Sequence, residues 1–117
     1  MLGIIGAMDE EVAMIKAQLT DVQVETRAAM DFYKGKLEGK EVVVVRSGIG
    51  KVNAAMCTQI LADIYGVTGV VNTGIAGSLK AEIDIGDIVL SSDALQHDMD
   101  ATGFGYEPGQ IPRVETL

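Results

Sequence analysis

Residues 41–65 read EVVVVRSGIGKVNAAMCTQILADIY, and the fold class follows from this stretch. The valine run Val42–Val45 predicts a strand, and the glycines that follow it predict a turn. Val52–Tyr65 then predicts a helix with small residues on one side and apolar residues on another, namely Met56, Ile60 and Ile64. A strand, a glycine turn and a helix in direct succession indicate an α/β architecture.

The same alternation continues on both sides of this stretch. Leu2–Ile5 predicts a buried strand, and Asp9 is expected to cap a helix whose apolar residues are Val12, Ile15 and Leu19 with Ala13 and Met14 beside them. Further strands are predicted at Met30–Leu37, which forms a hairpin with Glu41–Arg46, at Gly69–Asn72, which is expected to be buried, and at Asp87–Ser91. Strands separated by helices predict a mostly parallel or mixed sheet with helices on its faces.

The composition excludes several classes of protein. The 117 residues suffice for one small domain, and 9 basic against 17 acidic residues give a net charge of −8, which disfavours nucleic-acid binding. Hydrophobic residues make up 48% of the chain but aromatic residues only 4%, so the core is expected to be aliphatic. A single cysteine, Cys57, excludes a disulfide within the chain and is expected to be a buried, inert thiol.

The two ends of the chain predict where the protein is located and whether its domain is complete. The start MLGIIGAMDEE lacks the basic segment of a signal peptide, and Val42–Val45 is too short to cross a bilayer, so we expect a cytoplasmic protein without membrane contact. From Asp100 the chain is rich in glycine and proline and contains no closing strand or helix. We therefore interpret residues 1–117 as the front portion of a larger αβα domain, whose C-terminal half is absent from this chain.

Three glycine-bearing turns follow three predicted strands: Gly6-Ala7-Met8, Gly48-Ile49-Gly50-Lys51 and Thr73-Gly74-Ile75-Ala76-Gly77. In open α/β sheets, ligands bind at the carboxyl ends of the strands, so these turns predict one shared site. The alternative is that each glycine only makes a tight turn. None of the turns matches the dinucleotide or the Walker phosphate motif.

Two more groups of residues are candidates for chemistry. The acidic triplet Asp9-Glu10-Glu11 opens the first helix, where it suits the helix dipole or supplies a general base that faces the strand ends. The loop Phe104-Gly105-Tyr106 is either a ligand or subunit contact or a flexible tail. His97 with its neighbouring aspartates offers too few ligands for a metal, and we expect no metal and no cofactor.

Four ordered blocks of the chain together resemble the bacterial 5′-methylthioadenosine/S-adenosylhomocysteine nucleosidases of the purine nucleoside phosphorylase/hydrolase superfamily. The blocks are GIIGAMDEEV at Gly3–Val12, SGIGKVNAA at Ser47–Ala55, NTGIAGSL at Asn72–Leu79 with GDIVLS at Gly86–Ser91, and HDMDATGFGYEPGQIP at His97–Pro112. The resemblance implies a three-layer αβα sandwich with a mixed central sheet, of which this chain holds the front half. It also implies a homodimer that hydrolyses the N-glycosidic bond between adenine and a 5′-thio-substituted ribose.

The resemblance also implies roles for individual residues. Glu11 would position and deprotonate the attacking water, and Met8 and Ile49 would line the pocket for the ribose and its alkylthio group. Substrate-binding backbone is implied at Ala76 and Gly77. A loop reaching across the dimer to the neighbour's alkylthio group is implied at Ala101, Phe104, Tyr106 and Pro112.

The chain departs from the family pattern in two respects. Ile75 stands where family members commonly have serine. The acid that protonates adenine N7 and the Met-Glu pair that binds the ribose hydroxyls belong to the family's later half, which this chain does not contain. That half would come from elsewhere, as a second chain for example. The alternatives are a futalosine-type nucleosidase, a nucleoside phosphorylase and a fragment without activity. Acid behind the Gly6-Ala7-Met8 turn disfavours phosphate and hence the phosphorylase.

Overall fold

The computed structural model describes residues 1–115, which fall into two compact units, one of residues 1–77 and one from residue 78 onward. The first unit contains, in chain order, β1 (Leu2–Gly6), α1 (Asp9–Ala17), β2 (Thr20–Arg27), β3 (Met30–Leu37), β4 (Lys40–Arg46), α2 (Lys51–Asp63) and β5 (Gly69–Asn72). The second unit contains one short 3-10 helix, Thr102–Phe104. Within the described part of the chain, no helix has the length and apolarity that a membrane span requires.

The five strands form one mixed sheet in the order β2-β3-β4-β1-β5. β1 pairs in parallel with both β4 and β5, whereas β2, β3 and β4 pair in antiparallel fashion. The predicted hairpin between β3 and β4 is confirmed, with Glu38 and Gly39 both at positive φ in its turn. Such a pair of left-handed residues matches the twist of the flanking strands.

The two helices pack on opposite faces of the sheet. Val43 and Val45 pack with α2 through Cys57 and Leu61. Val44, which points the other way because strand side chains alternate, packs with α1 through Val12. The arrangement has three layers, as expected, and the core is aliphatic apart from Phe32, which stacks on Tyr65 at a ring-centroid distance of 5.2 Å.

Both helices differ in detail from their predictions. Met8, not Asp9, is the N-cap of α1, and Met14 is 77% exposed. Met14 lies two positions after the buried Val12, and at about 100° per residue it faces away from the sheet. In α2 the buried residues are Cys57 and Leu61, while Met56 and Ile64 are largely exposed. The predicted apolar face of α2 was therefore right at Ile60, which packs against the core, and wrong at Met56 and Ile64.

Three features of the strands differ from the sequence prediction. β2 was not predicted, although Val22 and Val24 alternate with polar residues at the period of a strand, and all its residues are exposed. β5 was expected to be buried but is mostly exposed, because it lies at the edge of the sheet with one neighbouring strand. Residues 87–91 do not form the predicted strand: no ladder among the described residues pairs with them, and Ile88 and Leu90 are exposed.

The contrast between Leu61 and Met14 provides a test of the packing. Leu61→Ala removes a fully buried side chain and should lower the free energy of unfolding by about 2–5 kcal/mol. Met14→Ala, at an exposed position of α1, should change it by no more than about 0.5 kcal/mol. Urea unfolding monitored by circular dichroism measures both values. Equal losses would contradict the assignment of Leu61 to the core and Met14 to the surface.

Burial of Cys57 leads to a second prediction. Desolvation raises the pKa of this thiol from 9.0 to about 11. Between pH 9.0 and about pH 11, the folded protein therefore keeps the thiol proton, whereas the unfolded chain loses it. The free energy of unfolding should fall over this range by on the order of 2–3 kcal/mol.

Other groups also titrate in this range, so the measurement is a comparison with Cys57→Ala. Urea unfolding at pH 8, 9, 10 and 11 should show a shallower alkaline decline for Cys57→Ala than for the parent chain. Parallel curves would show that the thiol ionises as readily in the folded as in the unfolded state.

Candidate active site

The parallel pairing of β1 with β4 and β5 places three turns at one edge of the sheet. The register opposes Gly6 with Arg46 and Ile5 with Asn72, so the three strands end together. Hydrogen bonds continue the pairing into the turns: the Ser47 N–H donates to the Gly6 carbonyl at 2.9 Å, and the Thr73 N–H donates to the Ile5 carbonyl at 2.8 Å. The glycine-bearing turns therefore share one edge, as the sequence predicted.

Glu11 is held at this edge by backbone N–H groups from two turns. It is the third residue of α1, and its Oε2 accepts hydrogen bonds from Ala7 N–H at 2.7 Å and Met8 N–H at 3.2 Å. Its own N–H donates to the Met8 carbonyl at 3.1 Å, so Glu11 and Met8 are joined by a reciprocal pair of hydrogen bonds at the start of α1. Its other oxygen, Oε1, accepts from Ile75 N–H at 3.4 Å. The carboxylate thus links the turn after β1 to the turn after β5.

Glycines leave the space that this carboxylate occupies. A Cβ on Gly74 would lie 2.8 Å from Glu11 Oε1, and a Cβ on Gly6 would lie 3.0 Å from Glu11 Cβ. Real Cβ atoms do not approach other atoms at 2.8 Å. The turn after β5 can therefore reach Glu11 only because residue 74 carries no side chain.

A cleft of about 450 Å³ opens beside Glu11, within the first unit. Its lining consists of Met8, Glu10, Glu11, Thr73, Gly74 and Ile75. The charged residues of the lining are both acidic, and the side chains of Met8 and Ile75 supply apolar surface. Such a cleft suits a neutral or cationic ligand with an apolar portion better than it suits an anion.

The acidic triplet divides between the cleft and the surface. Glu10 and Glu11 line the cleft, while Asp9 forms ion pairs outside it with Arg46 at 3.5 Å and Lys16 at 4.0 Å. Successive helical residues point about 100° apart, so three consecutive acids cannot all face one cleft.

The other predicted site residues do not line this cleft. Ile49, Ala76 and Gly77 lie in the turns after β4 and β5 and are exposed, and Ile49 is not among the cleft residues. Thr73 and Gly74 line the cleft; the sequence placed them in a turn of the predicted shared site but assigned neither an individual role. Their position at the end of β5, beside the end of β1, is the signal that identifies them.

The aromatic loop lies in the second unit and is ordered by local hydrogen bonds. Ala101 is buried, Tyr106 is half-buried, and Phe104 and Pro112 are exposed. Asp100 accepts hydrogen bonds from the Thr102 hydroxyl at 2.6 Å and the Thr102 N–H at 3.0 Å, and these bonds lower the pKa of its carboxyl. Phe104 is 88% exposed, so its ring is available for an external contact.

Metal ligation has no support in residues 1–115, where no three His, Cys, Asp or Glu side chains converge. Cys57 is buried in the core under α2, in agreement with the predicted inert thiol. The polar side chains that line the cleft are those of Thr73, Glu10 and Glu11, and backbone N–H groups hold the Glu11 carboxylate beside them.

These features define an α/β protein with a carboxylate-bearing cleft at the carboxyl ends of its parallel strands. The chain belongs to the phosphorylase superfamily, whose family model matches residues 1–116.

Several relatives and solved structures are similar to the chain. It is 51% identical over 114 residues to the 5′-methylthioadenosine/S-adenosylhomocysteine nucleosidase of Marinomonas sp., covering 97% of this chain and 49% of that protein. The nucleosidase of Colwellia psychrerythraea, solved in complex with adenine, superposes with a TM-score of 0.93 at 53% identity over 95% of this chain and 46% of that one. The Helicobacter pylori futalosine hydrolase superposes with a TM-score of 0.90 at 33% identity, over 97% of this chain and 49% of that one. The chain spans about half the length of the curated relatives it matches.

Proposed function

We propose that this chain is the N-terminal portion of a nucleosidase domain that hydrolyses the N-glycosidic bond of 5′-methylthioadenosine and S-adenosylhomocysteine. The products are adenine and the corresponding 5′-thioribose. The observation that carries the proposal is the Glu11 carboxylate, which three backbone N–H groups hold at the edge of the cleft. The similarity to nucleosidases at about half identity supports the same reaction.

In the proposed mechanism Glu11 acts as the general base. Its carboxylate accepts a proton from a water molecule as the water oxygen forms a bond to the anomeric carbon and the bond to the adenine nitrogen breaks. The transition state has oxocarbenium character, so a nearby negative charge also stabilises the positive charge that develops on the ribose. The N–H groups of Ala7, Met8 and Ile75 orient the carboxylate for this task.

The cleft lining supports a thio-substituted nucleoside as substrate. Met8 and Ile75 offer apolar surface for a ribose and an alkylthio group, and we assign the same role to Ile49. Ala76 and Gly77 continue the turn after Ile75 and would present backbone to the substrate. Glu10 and Glu11 oppose a phosphate anion in the cleft, which favours water over phosphate as the nucleophile.

Two contributions are assigned to other chains or segments. We propose that the acid that protonates adenine N7 comes from a segment that corresponds to the second half of the relatives. We also propose a homodimer in which the loop of Ala101, Phe104, Tyr106 and Pro112 covers the 5′-alkylthio group in the partner subunit. Exposure of the Phe104 ring supports this role.

A futalosine hydrolase is the second candidate function, because the two Helicobacter pylori futalosine hydrolase structures match at 33% identity. Release of the free base, adenine from methylthioadenosine and hypoxanthine from futalosine, distinguishes the two candidates when both compounds are compared as substrates. The assay uses the longest polypeptide that the gene encodes, with and without added phosphate. Faster turnover of futalosine would favour the second candidate. Turnover that requires added phosphate would show that the reaction is phosphorolysis and not hydrolysis.

The role of Glu11 is tested by removing its charge. In that same polypeptide Glu11→Gln should lower kcat for methylthioadenosine by about 10²–10⁴-fold, because the amide cannot accept the proton of water. KM should change little. Glu10→Gln makes the same change one residue earlier, at a side chain that lines the same cleft but accepts no proton in the proposed mechanism. A loss confined to Glu10→Gln would transfer the role of base to that residue.

The role of the aromatic loop is tested by substrate comparison. Phe104→Ala should raise KM for methylthioadenosine more than it raises KM for adenosine, which lacks the apolar thio group. Leu95→Ala, at an exposed apolar residue of the same unit, is the matched control and should affect both substrates alike. An equal effect of Phe104→Ala on the two substrates would show that the ring does not contact the 5′ group.

A further inference from the structure

We propose that Gly74 is a positioning residue for the Glu11 carboxylate, and that its lack of a side chain keeps this carboxylate in the orientation required for water activation. The inference rests on the proposed function of Glu11, and it extends that function to a second residue of the cleft lining, which acts through Glu11.

The space around Gly74 is specific to Glu11. The three heavy atoms nearest to a Cβ built at this position all belong to the Glu11 carboxylate, Oε1 at 2.8 Å, Cδ at 3.0 Å and Oε2 at 3.2 Å. Gly6 differs, because a Cβ there would meet Val12 Cγ1 in the core first, at 2.7 Å, and Glu11 only at 3.0 Å through Cβ and 3.4 Å through Oε2. A side chain at residue 74 would therefore meet the carboxylate first, whereas one at residue 6 would meet the hydrophobic core as well as Glu11.

The backbone at Gly74 does not itself require glycine. Gly74 is not among the glycines with positive φ, so alanine can adopt its conformation without backbone strain. The obstacle to alanine is the end of a flexible side chain, which can move. Gly74→Ala is expected to fold, and the carboxylate of Glu11 is the group that must give way.

The movement should affect the two carboxylate oxygens unequally. Oε2 is anchored by Ala7 N–H at 2.7 Å, but Oε1 has only the longer contact with Ile75 N–H at 3.4 Å. The added methyl group would displace Oε1 and break the link to the turn after β5. A displaced base no longer aligns with the water it must deprotonate, and misplacement by about 1 Å can cost on the order of 10²-fold in rate.

The first test needs no activity and uses residues 1–117. Thermal unfolding is compared for Gly74→Ala, Glu11→Ala and the double variant. Gly74→Ala should lower Tm in the parent chain but not in the Glu11→Ala background, where the methyl group has room. Gly103→Ala is the matched control: its Cβ would have nothing within 4 Å, so its effect should be the same in both backgrounds. Equal shifts for Gly74→Ala in both backgrounds would overturn the proposed contact.

The second test measures kinetics in the longest polypeptide that the gene encodes. Gly74→Ala should lower kcat for methylthioadenosine about 10²-fold with little change in KM, and should cause no further loss when Glu11→Gln is already present. A purely structural defect would add to the loss from Glu11→Gln.

The outcomes separate the two proposals. If Glu11→Gln abolishes turnover while Gly74→Ala retains the parental kcat, the positioning role is wrong and the proposed function of Glu11 stands. If Glu11→Gln retains turnover, the proposed function of Glu11 is wrong. The positioning role in catalysis then falls with it, and the Tm comparison still decides whether Gly74 makes room for the carboxylate.

Discussion

The parallel pairing of β1 with β4 on one side and β5 on the other is the constraint on which the site depends. Parallel strands end at the same edge, so the turns that follow them meet there although they are far apart in the chain. The backbone hydrogen bonds from Ser47 and Thr73 to the end of β1 extend this pairing beyond the strands. Without that register, Glu11 and Ile75 would have no common edge at which to meet.

The sequence left two interpretations of the acidic triplet open, stabilisation of the helix start and supply of a general base, and Glu11 combines them. Its carboxylate satisfies backbone N–H groups at the start of α1, which is the structural role expected of an acid in a first helical turn. The same carboxylate lines the cleft and contacts the turn after β5, as the proposed catalytic role needs. The capping bonds restrict the side chain, and a restricted side chain is what an oriented general base requires.

Ile75 shows how the turn after β5 contributes through its backbone. The resemblance led us to expect a serine hydroxyl at this position, and Ile75 offers none. The contact with Glu11 is made by the N–H of Ile75, which any residue except proline supplies. The side chain is 85% exposed and adds apolar surface to the cleft. The side chain at residue 75 therefore affects the lining of the cleft, whereas the contact with Glu11 depends on the backbone alone.

The sequence by itself determined the succession of strand, glycine turn and helix, the hairpin of β3 and β4, and the acidic start of α1, because these depend on periodicity and turn chemistry among near neighbours. The ordered blocks indicated the superfamily that the family model then matched. Only the tertiary structure decided that Asp9 faces Arg46 while Glu10 and Glu11 face the cleft, that β5 is an exposed edge, and that residues 87–91 form no strand. It also brought Gly74 against Glu11. These features depend on which distant segments pair with one another, and hydrophobic periodicity within a segment carries no information about its partner.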